Sequence, residues 1–373
     1  MAFSFGFSGD DIDMDDSELQ GEVGTSFSTQ NKANTLPELV GAQRHDMKEW
    51  ISTLPSQISF NKLAIETSRD GNIEKTLHLG RREVFDIRTQ LMAEDTADHE
   101  NEELISGLEE GDIKPNFYEG GFKTWECALD LAKLVADEGV VAAGHTDQDL
   151  HIIELGAGTA VPSLALFAQL ISQAEPESMA GTKRQRKSHF TFADYNSVVL
   201  RLVTLPNLLL TWNNVVSHRH VAPEGDSVEE EELDITPELV ERFERDLADK
   251  GITVDFISGA WSDAFVDLVY SSIDQGLRKT WVLASETIYS PASLSAFSET
   301  LLSLLCRSAE SGGSSRALVA AKKVYFGVGG GVDEFLTVFK EINGDRMEVK
   351  ERLDVKSEGV GRIVLEIAPG CSR

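Results

Sequence analysis

The sequence predicts an α/β protein built on a doubly wound, mainly parallel sheet. Three observations lead to this prediction. Short apolar segments of strand length alternate with helical segments, a Gly-rich turn follows the first of these strands, and two strand segments with no helix between them end the chain. Such alternation is typical of a parallel sheet with helices on both faces. A length of 373 residues is enough for one elaborated domain of this kind and a tail.

The first half of the sheet begins with the buried run HIIEL at 151–155, which leads into a helical segment at 160–174. A second strand is predicted at 189–195. The apolar segment 197–212 is expected to be a helix that Pro206 interrupts, because proline has no main-chain N–H to donate. These segments predict two parallel strands, each followed by a helix.

The second half of the sheet continues the alternation. Pro291 suits the first turn of a helix, and Gly344 is a typical helix stop. The final two strand segments are expected to pair as an antiparallel hairpin at the edge. The predicted strands are 252–261, 280–289 and 315–326, the predicted helices are 291–310 and 331–344, and the final pair is 347–354 with 361–370.

Composition divides the chain into three parts. Residues 1–40 are rich in Ser, Gly and Asp and are predicted to be a disordered acidic tail. Residues 41–115 form a polar leader with one helical pattern at 81–94, and residues 116–373 form the main domain. Two insertions interrupt this domain: a loop with a basic cluster at 175–189, and an acidic stretch at 222–251 whose second half is expected to be helical.

The charge of the chain limits its partners. There are 34 basic and 63 acidic residues, a net charge of −29. Such a surface repels nucleic acid and anionic membrane and attracts a basic partner, although plain solubility is an equally good explanation. The three cysteines have neither metal-ligand spacing nor the density of a disulfide framework, and the N-terminus lacks a secretory signal. We therefore expect a soluble intracellular protein with no metal site.

The turn after the first strand points to a cofactor. In ELGAGTAV, Gly156 and Gly158 fill the first two positions of a dinucleotide fingerprint, but Val161 stands at the third. A branched residue there obstructs the close helix packing that a glycine permits. Glu154 instead gives an acid-x-Gly-x-Gly pattern, which S-adenosylmethionine enzymes use. The acid either places the cationic amino group of the cofactor or structures the loop, and Ala157 lies inside the same turn.

The ends of the other strands add candidate residues, since ligands bind at the carboxyl edge of open α/β sheets. Asp194 is placed to accept the ribose hydroxyls or, equally, to cap the next helix. Trp261 either meets the adenine or packs in the core. Glu286 and Tyr289 lie at the end of the predicted fourth strand, where the methyl group is expected. Further candidates for cofactor contact at these strand ends are Asn196, Gly259 and Ser285.

Six segments occur in an order that resembles the protein-histidine N-methyltransferases of the methyltransferase-like eighteen type. They are FYEGGFKTWECALDL (117–131), ELGAGTAVPS (154–163), DYNSVVLRLVTLPNLLLTW (194–212), SGAWSD (258–263), ASETIY (284–289) and AAKKVYFGVGGGVDEF (320–335). The resemblance covers nearly all of the chain from about residue 80. It implies a class I (Rossmann-like) S-adenosylmethionine-dependent methyltransferase, and it favours a cofactor role for Trp125.

The resemblance also implies a substrate. It predicts methyl transfer to the tele nitrogen of one histidine in the L-three protein of the large ribosomal subunit, in cytoplasm and nucleus, with effects on ribosome biogenesis and translation. In this reading Glu286 orients the imidazole and Tyr289 bonds to it or stacks on it. Related lysine methyltransferases carry Asp where this chain has Glu286. A lysine methyltransferase and a non-catalytic assembly factor that binds the cofactor remain alternatives, and we expect a monomer.

Overall fold

The computed structural model describes residues 39–69, 72–94, 104–105, 120–141, 148–173, 186–217, 231–273, 276–326, 329–356 and 359–370. These residues belong to one compact unit, Leu39–Arg373. The predicted disordered tail lies almost wholly outside them, as do residues 175–185 of the basic insertion.

Among the described residues, the main sheet has eight strands: β1 (Gln43–His45), β4 (Asp149–Leu155), β5 (Ser188–Asp194), β7 (Ile252–Ser258), β8 (Arg278–Ser285), β9 (Ser314–Lys322), β10 (Met347–Val355) and β11 (Arg362–Pro369). Their order across the sheet is β1-β7-β5-β4-β8-β9-β11-β10. The five central strands β7, β5, β4, β8 and β9 are parallel, while β1, β11 and β10 are antiparallel to their neighbours. The prediction of a mainly parallel sheet ending in an antiparallel pair is confirmed.

The helices cover both faces of this sheet. Neighbouring strand residues face opposite layers: Ile152 belongs to one apolar cluster and Ile153 to the other. The helices of eight or more residues are α2 (Val84–Glu94), α3 (Glu126–Asp137), α4 (Val161–Ser172), α6 (Leu205–Ser217), α7 (Pro237–Asp249), α8 (Asp263–Ser271), α9 (Leu294–Glu310) and α10 (Val332–Asn343), and the shorter ones are α1 (Met47–Ile51) and α5 (Ser197–Val199). None of these described helices is both long and apolar enough to cross a membrane.

A second, three-stranded sheet was not predicted. The polar leader supplies β2 (Gln57–Arg69) and β3 (Asn72–Arg82), and the acidic insertion supplies β6 (Glu231–Asp234), in the order β3-β2-β6. This sheet packs on α6, where Gly80 donates its N–H to Thr211 Oγ1 at 3.1 Å. A Cβ on Gly80 would lie 2.4 Å from Leu210 Cβ, so glycine permits the close approach of strand and helix.

The helix around Pro206 is continuous, contrary to the predicted interruption. A π-helical turn, Leu200–Thr204, joins α5 to α6 immediately before the proline. Pro206 has no N–H to offer the carbonyl of Leu202, and that carbonyl instead accepts a hydrogen bond from Arg82 Nη1 at 3.0 Å. The guanidinium of Arg82 also pairs with Asp86 at 2.7 Å. A buried arginine from β3 therefore satisfies the carbonyl that the proline leaves unpaired.

Candidate functional site

The Gly-rich turn lies between β4 and α4, at the carboxyl edge of the sheet. Gly156 and Gly158 have positive φ values of 63° and 50°, a region that side chains disfavour. A Cβ on Gly156 would lie 2.8 Å from Thr287 Cγ2, and one on Gly158 would lie 3.2 Å from the Cα of Gly121. Ala157 donates its N–H to the carbonyl of Ala193 at 2.8 Å, which ties the turn to the end of β5.

The helix behind the turn holds it from the other side. Thr204 Oγ1 donates to the carbonyl of Gly158 at 2.7 Å, and Asn207 Nδ2 donates to the carbonyl of Thr159 at 3.2 Å. Asn207 Oδ1 accepts the main-chain N–H of Arg82 at 2.8 Å. Sequence reasoning missed these residues because their spacing along the chain carries no motif. Asn207 therefore connects the β2–β3 hairpin to the turn, and Thr204 adds a second hydrogen bond to the turn.

Glu154 lies beneath the turn and is 1% exposed. Its Oε2 accepts the main-chain N–H of Ser163, in the first turn of α4, at 3.0 Å, while its buried Oε1 has no hydrogen-bond partner. Burial raises the pKa of Glu154 to about 8, and the hydrogen bonds from Ser163 oppose this shift. The sequence left two roles open for Glu154: placing the amino group of the cofactor, or structuring the loop. The hydrogen bond from Ser163 is a contact of the second kind.

Asp194, the last residue of β5, is hydrogen-bonded to the Gly-rich turn that follows β4. Its Oδ2 accepts the N–H of Gly158 at 3.1 Å, and its Oδ1 accepts the N–H of Asn196 at 3.0 Å. Each carboxylate oxygen has a second lone pair, so these bonds leave capacity for the ribose hydroxyls. The side-chain Nδ2 of Asn196 is buried without a partner. Asp194 thus shapes the turn, and its role as acceptor for the ribose stays a prediction.

The end of β7 lies beside the segment that precedes β1. Gly259 has a φ of 102°, and a Cβ there would lie 2.4 Å from the carbonyl oxygen of Gly41. Ala260 donates its N–H to the carbonyl of Val40 at 2.8 Å. Trp261 is partly buried and packs edge to face on Phe297, with 5.1 Å between the ring centroids. The close approach of these two chain segments is thus one reason for glycine at position 259. Of the two alternatives that the sequence left open for Trp261, its contact with Phe297 is packing in the core.

Glu286 follows Ser285, the last residue of β8, and has an unusual backbone. Its φ is 57°, which is uncommon for a residue with a side chain. Its N–H donates to the carbonyl of Ala320 at 2.9 Å, and its Oε2 accepts the hydroxyl of Tyr325 at 2.5 Å. Its Oε1 is buried without a hydrogen bond and lies 3.7 Å from Lys322 Nζ. Observed strain of this kind clusters at functional sites.

Lys322 connects Glu286 to the start of α3. Its Nζ lies 3.0 Å from Glu126 Oε2 and 5.0 Å from the centre of the Trp125 ring. Burial alone would lower the pKa of Lys322, but the carboxylates of Glu126 and Glu286 outweigh it and raise the pKa. Burial, then the charge of Glu286 and a hydrogen bond to its side chain, raise the pKa of the Cys127 thiol. Lys322, Cys127 and Tyr325 were not predicted, although all three lie in segments that carried the resemblance.

Tyr289 lies beside Tyr325, with 6.3 Å between the ring centroids. A glycine loop packs against its backbone: a Cβ on Gly330 would lie 2.1 Å from the carbonyl oxygen of Tyr289. Gly330 in turn accepts the N–H of Tyr325 at 3.2 Å. The glycine-dense segment after β9 therefore holds both tyrosines in place.

The structure brings the predicted residues together in one region. The Gly156–Thr287 approach places the Gly-rich turn next to the segment that carries Glu286. The remaining predicted residues lie at the carboxyl ends of β4, β5, β7 and β8 or at the start of α3, which is the ligand-binding edge of this fold. The two glycines without side chains, the acceptor at Asp194 and the unpaired buried atoms Asn196 Nδ2 and Thr287 Oγ1 fit S-adenosylmethionine. Among the described residues, no cluster of three or more His, Cys, Asp or Glu could hold a metal.

Comparison with known proteins gives relatives along most of the chain. The chain is 32% identical to histidine protein methyltransferase 1 of Saccharomyces cerevisiae, over 98% of each sequence. It is 35% identical to the protein of the same name from Schizosaccharomyces pombe, over 76% of this chain and 75% of the relative. A homologue from Bos taurus is 31% identical over 71% of this chain and 57% of the relative. No family model matches the chain.

Solved structures give much weaker likenesses. A magnesium protoporphyrin IX methyltransferase from Synechocystis PCC 6803 is 13% identical, with a TM-score of 0.34 over 76% of this chain and all of that one. A putative RNA methyltransferase from Pyrococcus horikoshii is 11% identical, with a TM-score of 0.33 over 66% of this chain and 83% of that one. The assignment of a family therefore depends on the sequence relatives.

Proposed function

The chain belongs to the family of histidine protein methyltransferases, and from this premise we propose that it methylates the tele nitrogen of a histidine in large-subunit ribosomal protein L3. It is a methyltransferase, and its cofactor is S-adenosylmethionine. The proposal specifies two further points: which ring nitrogen of the histidine receives the methyl group, and which protein carries that histidine. The observation that carries it is the buried Oε1 of Glu286, an acceptor without a hydrogen bond beside the cofactor turn.

A histidine needs orientation rather than deprotonation before it is methylated. Neutral imidazole has one nitrogen with a free lone pair and one that carries a proton. A carboxylate that accepts the proton-bearing nitrogen fixes the tautomer and leaves the other nitrogen as nucleophile. Glu286 does this for the tele nitrogen if its Oε1 accepts the N–H of the other ring nitrogen.

When bound, S-adenosylmethionine supplies the methyl group on a positively charged sulfur. Gly156, Gly158 and Asp194 would hold the cofactor at the edge of the sheet, and Trp125 would cover it. Glu286 then has a second role, because transfer leaves a positive charge on the ring. Its carboxylate stabilises that charge until the proton on the other nitrogen passes to solvent. Tyr289 lies close enough to Tyr325 to form an aromatic side of the same site.

The charge of the chain supports a basic substrate. A net charge of −29 favours encounter with a strongly basic ribosomal protein and disfavours free nucleic acid. With such a substrate, we propose that the chain acts as a monomer in cytoplasm and nucleus, where ribosomal proteins are made and assembled, and so contributes to ribosome biogenesis and translation.

The experiment is direct methyl transfer. Purified protein is incubated with methyl-labelled S-adenosylmethionine and with large-subunit ribosomal proteins from a strain that lacks this methyltransferase. The labelled amino acid is then identified after hydrolysis. Label in tele-methylhistidine of L3 is expected. Gly156→Arg is the inactive control, because its side chain would enter the cofactor turn at a positive φ. Label in another protein contradicts the substrate, and label in pros-methylhistidine contradicts the orientation assigned to Glu286.

A further inference from the structure

The hydroxyl group of Tyr325 is fixed by two hydrogen bonds. It accepts the main-chain N–H of Lys322 at 3.2 Å and donates to Glu286 Oε2 at 2.5 Å. A hydroxyl has a single proton, and the main-chain N–H can only donate. The proton of Tyr325 is therefore directed at the carboxylate. Burial, and then the charge of Glu286, raise the pKa of Tyr325, so the hydroxyl keeps this proton.

The two oxygens of Glu286 lie in different surroundings. Oε2 is held by Tyr325, whereas Oε1 makes no hydrogen bond and has Lys322 Nζ at 3.7 Å, which is an ion-pair distance only. The glutamate side chain has three rotatable bonds, and its carboxylate keeps one orientation only where partners fix it. The left-handed backbone at Glu286 fixes where the side chain starts, and Tyr325 fixes where it ends.

We propose that Tyr325 is a positioning residue for methyl transfer, which holds Oε2 of Glu286 so that Oε1 is presented to the N–H of the substrate imidazole. This role rests on the proposed function. It differs from catalysis by Tyr325 itself, because the single proton of the hydroxyl is already donated to Glu286. It also gives Lys322 a role, since its main chain holds the tyrosine while its ammonium group balances the charge of Glu286.

The test is a double-mutant cycle with Tyr325→Phe and Glu286→Gln in the full-length chain, with L3 as substrate. Tyr325→Phe keeps the ring and removes the hydroxyl, and kcat is expected to fall roughly tenfold to a hundredfold, as for loss of a hydrogen bond to a charged group. The KM for L3 and the Kd for S-adenosylmethionine should change less than about twofold, because the ring and the cofactor turn remain. In the Glu286→Gln background, Tyr325→Phe should have little further effect.

Tyr270→Phe is the matched control. The hydroxyl of Tyr270 is also partly buried and donates to the carbonyl of Leu304 at 2.7 Å, on helix α9. This variant loses one hydrogen bond where Tyr325→Phe loses two, and it should keep its kcat. All rates are measured at a temperature where circular dichroism shows each variant folded.

Three results overturn the inference, and they are distinguishable. If the unaltered chain methylates L3 and the effects of the two substitutions simply multiply, Tyr325 acts independently of Glu286, and the positioning role is wrong while the proposed function stands. The same holds if Tyr325→Phe has unaltered kcat. If the unaltered chain leaves L3 unlabelled, the proposed function fails and the positioning role fails with it.

Discussion

Replacing Gly158 with alanine should damage cofactor binding more than it damages the fold. The residue has a φ of 50°, and an added Cβ would lie 3.2 Å from the Cα and 3.3 Å from the carbonyl oxygen of Gly121. Both neighbours are main-chain atoms, so no side-chain rotation relieves the contact. A left-handed backbone with a side chain costs about 1–2 kcal/mol. Relief by movement of the turn would instead break the hydrogen bond from Gly158 to Asp194.

Both backbone strain at position 158 and movement of the turn should weaken the binding of the cofactor. Loss of a hydrogen bond to a charged group costs roughly 1.5–3 kcal/mol, and each 1.4 kcal/mol is about a tenfold change in affinity. Gly158→Ala is therefore expected to raise the Kd for S-adenosylmethionine at least about tenfold, measured by isothermal titration calorimetry. Urea unfolding should show a loss of stability of about 1 kcal/mol or more.

Gly344→Ala separates backbone strain from damage to the site. Gly344 has a φ of 59° at the end of α10, with nothing within 4 Å of an added Cβ. It should lower the free energy of unfolding and leave cofactor affinity unaltered. An unaltered Kd in Gly158→Ala, alongside the expected loss of stability, would refute the placement of the cofactor on this turn.

Two further predictions concern the acids of the site. Asp194→Ala removes the acceptor for Gly158 and Asn196, and cofactor binding should weaken by roughly 1–3 kcal/mol in calorimetry; full affinity would reduce Asp194 to a structural residue. Glu154 has a folded pKa of about 8, above that of an exposed glutamate, so the folded state holds this proton more tightly than the unfolded state does. Stability should therefore fall as pH rises from about 4.5 to 8, and Glu154→Gln, which can still accept from Ser163, should remove this part of the pH dependence. A variant with the same pH profile as the unaltered chain would contradict a buried, protonated Glu154.

Local patterns were sufficient for the parallel strands and their helices. The strand at 151–155 is a short, mainly apolar segment, and helices such as 331–344 carry their own stop signals, so each could be recognised within its own segment. The strands β2 and β3 of the leader were missed. Their sequences are polar, and what stabilises them is packing on α6 and pairing with each other and with β6 from the acidic insertion.

The Gly-rich turn was visible in the sequence because its spacing is itself the signal. The acid, the two glycines and the valine at the third position indicated the class of cofactor before any contact was known. The partners of these residues carried no such signal. Thr204 and Asn207 hold the turn from 46 and 48 residues further along the chain, and no local rule connects them to it.

The sequence by itself therefore determined the kind of sheet, the place of the Gly-rich turn and the family, because each follows from short-range periodicity or from the order of segments. Only the tertiary structure decided which contacts hold the residues at the carboxyl edge of the sheet in place. Arg82 reaches a carbonyl 120 residues away, and Tyr325 meets Glu286 from 39 residues away. Such contacts depend on the path of the folded chain, since main-chain geometry and burial, rather than spacing, bring a donor to its acceptor.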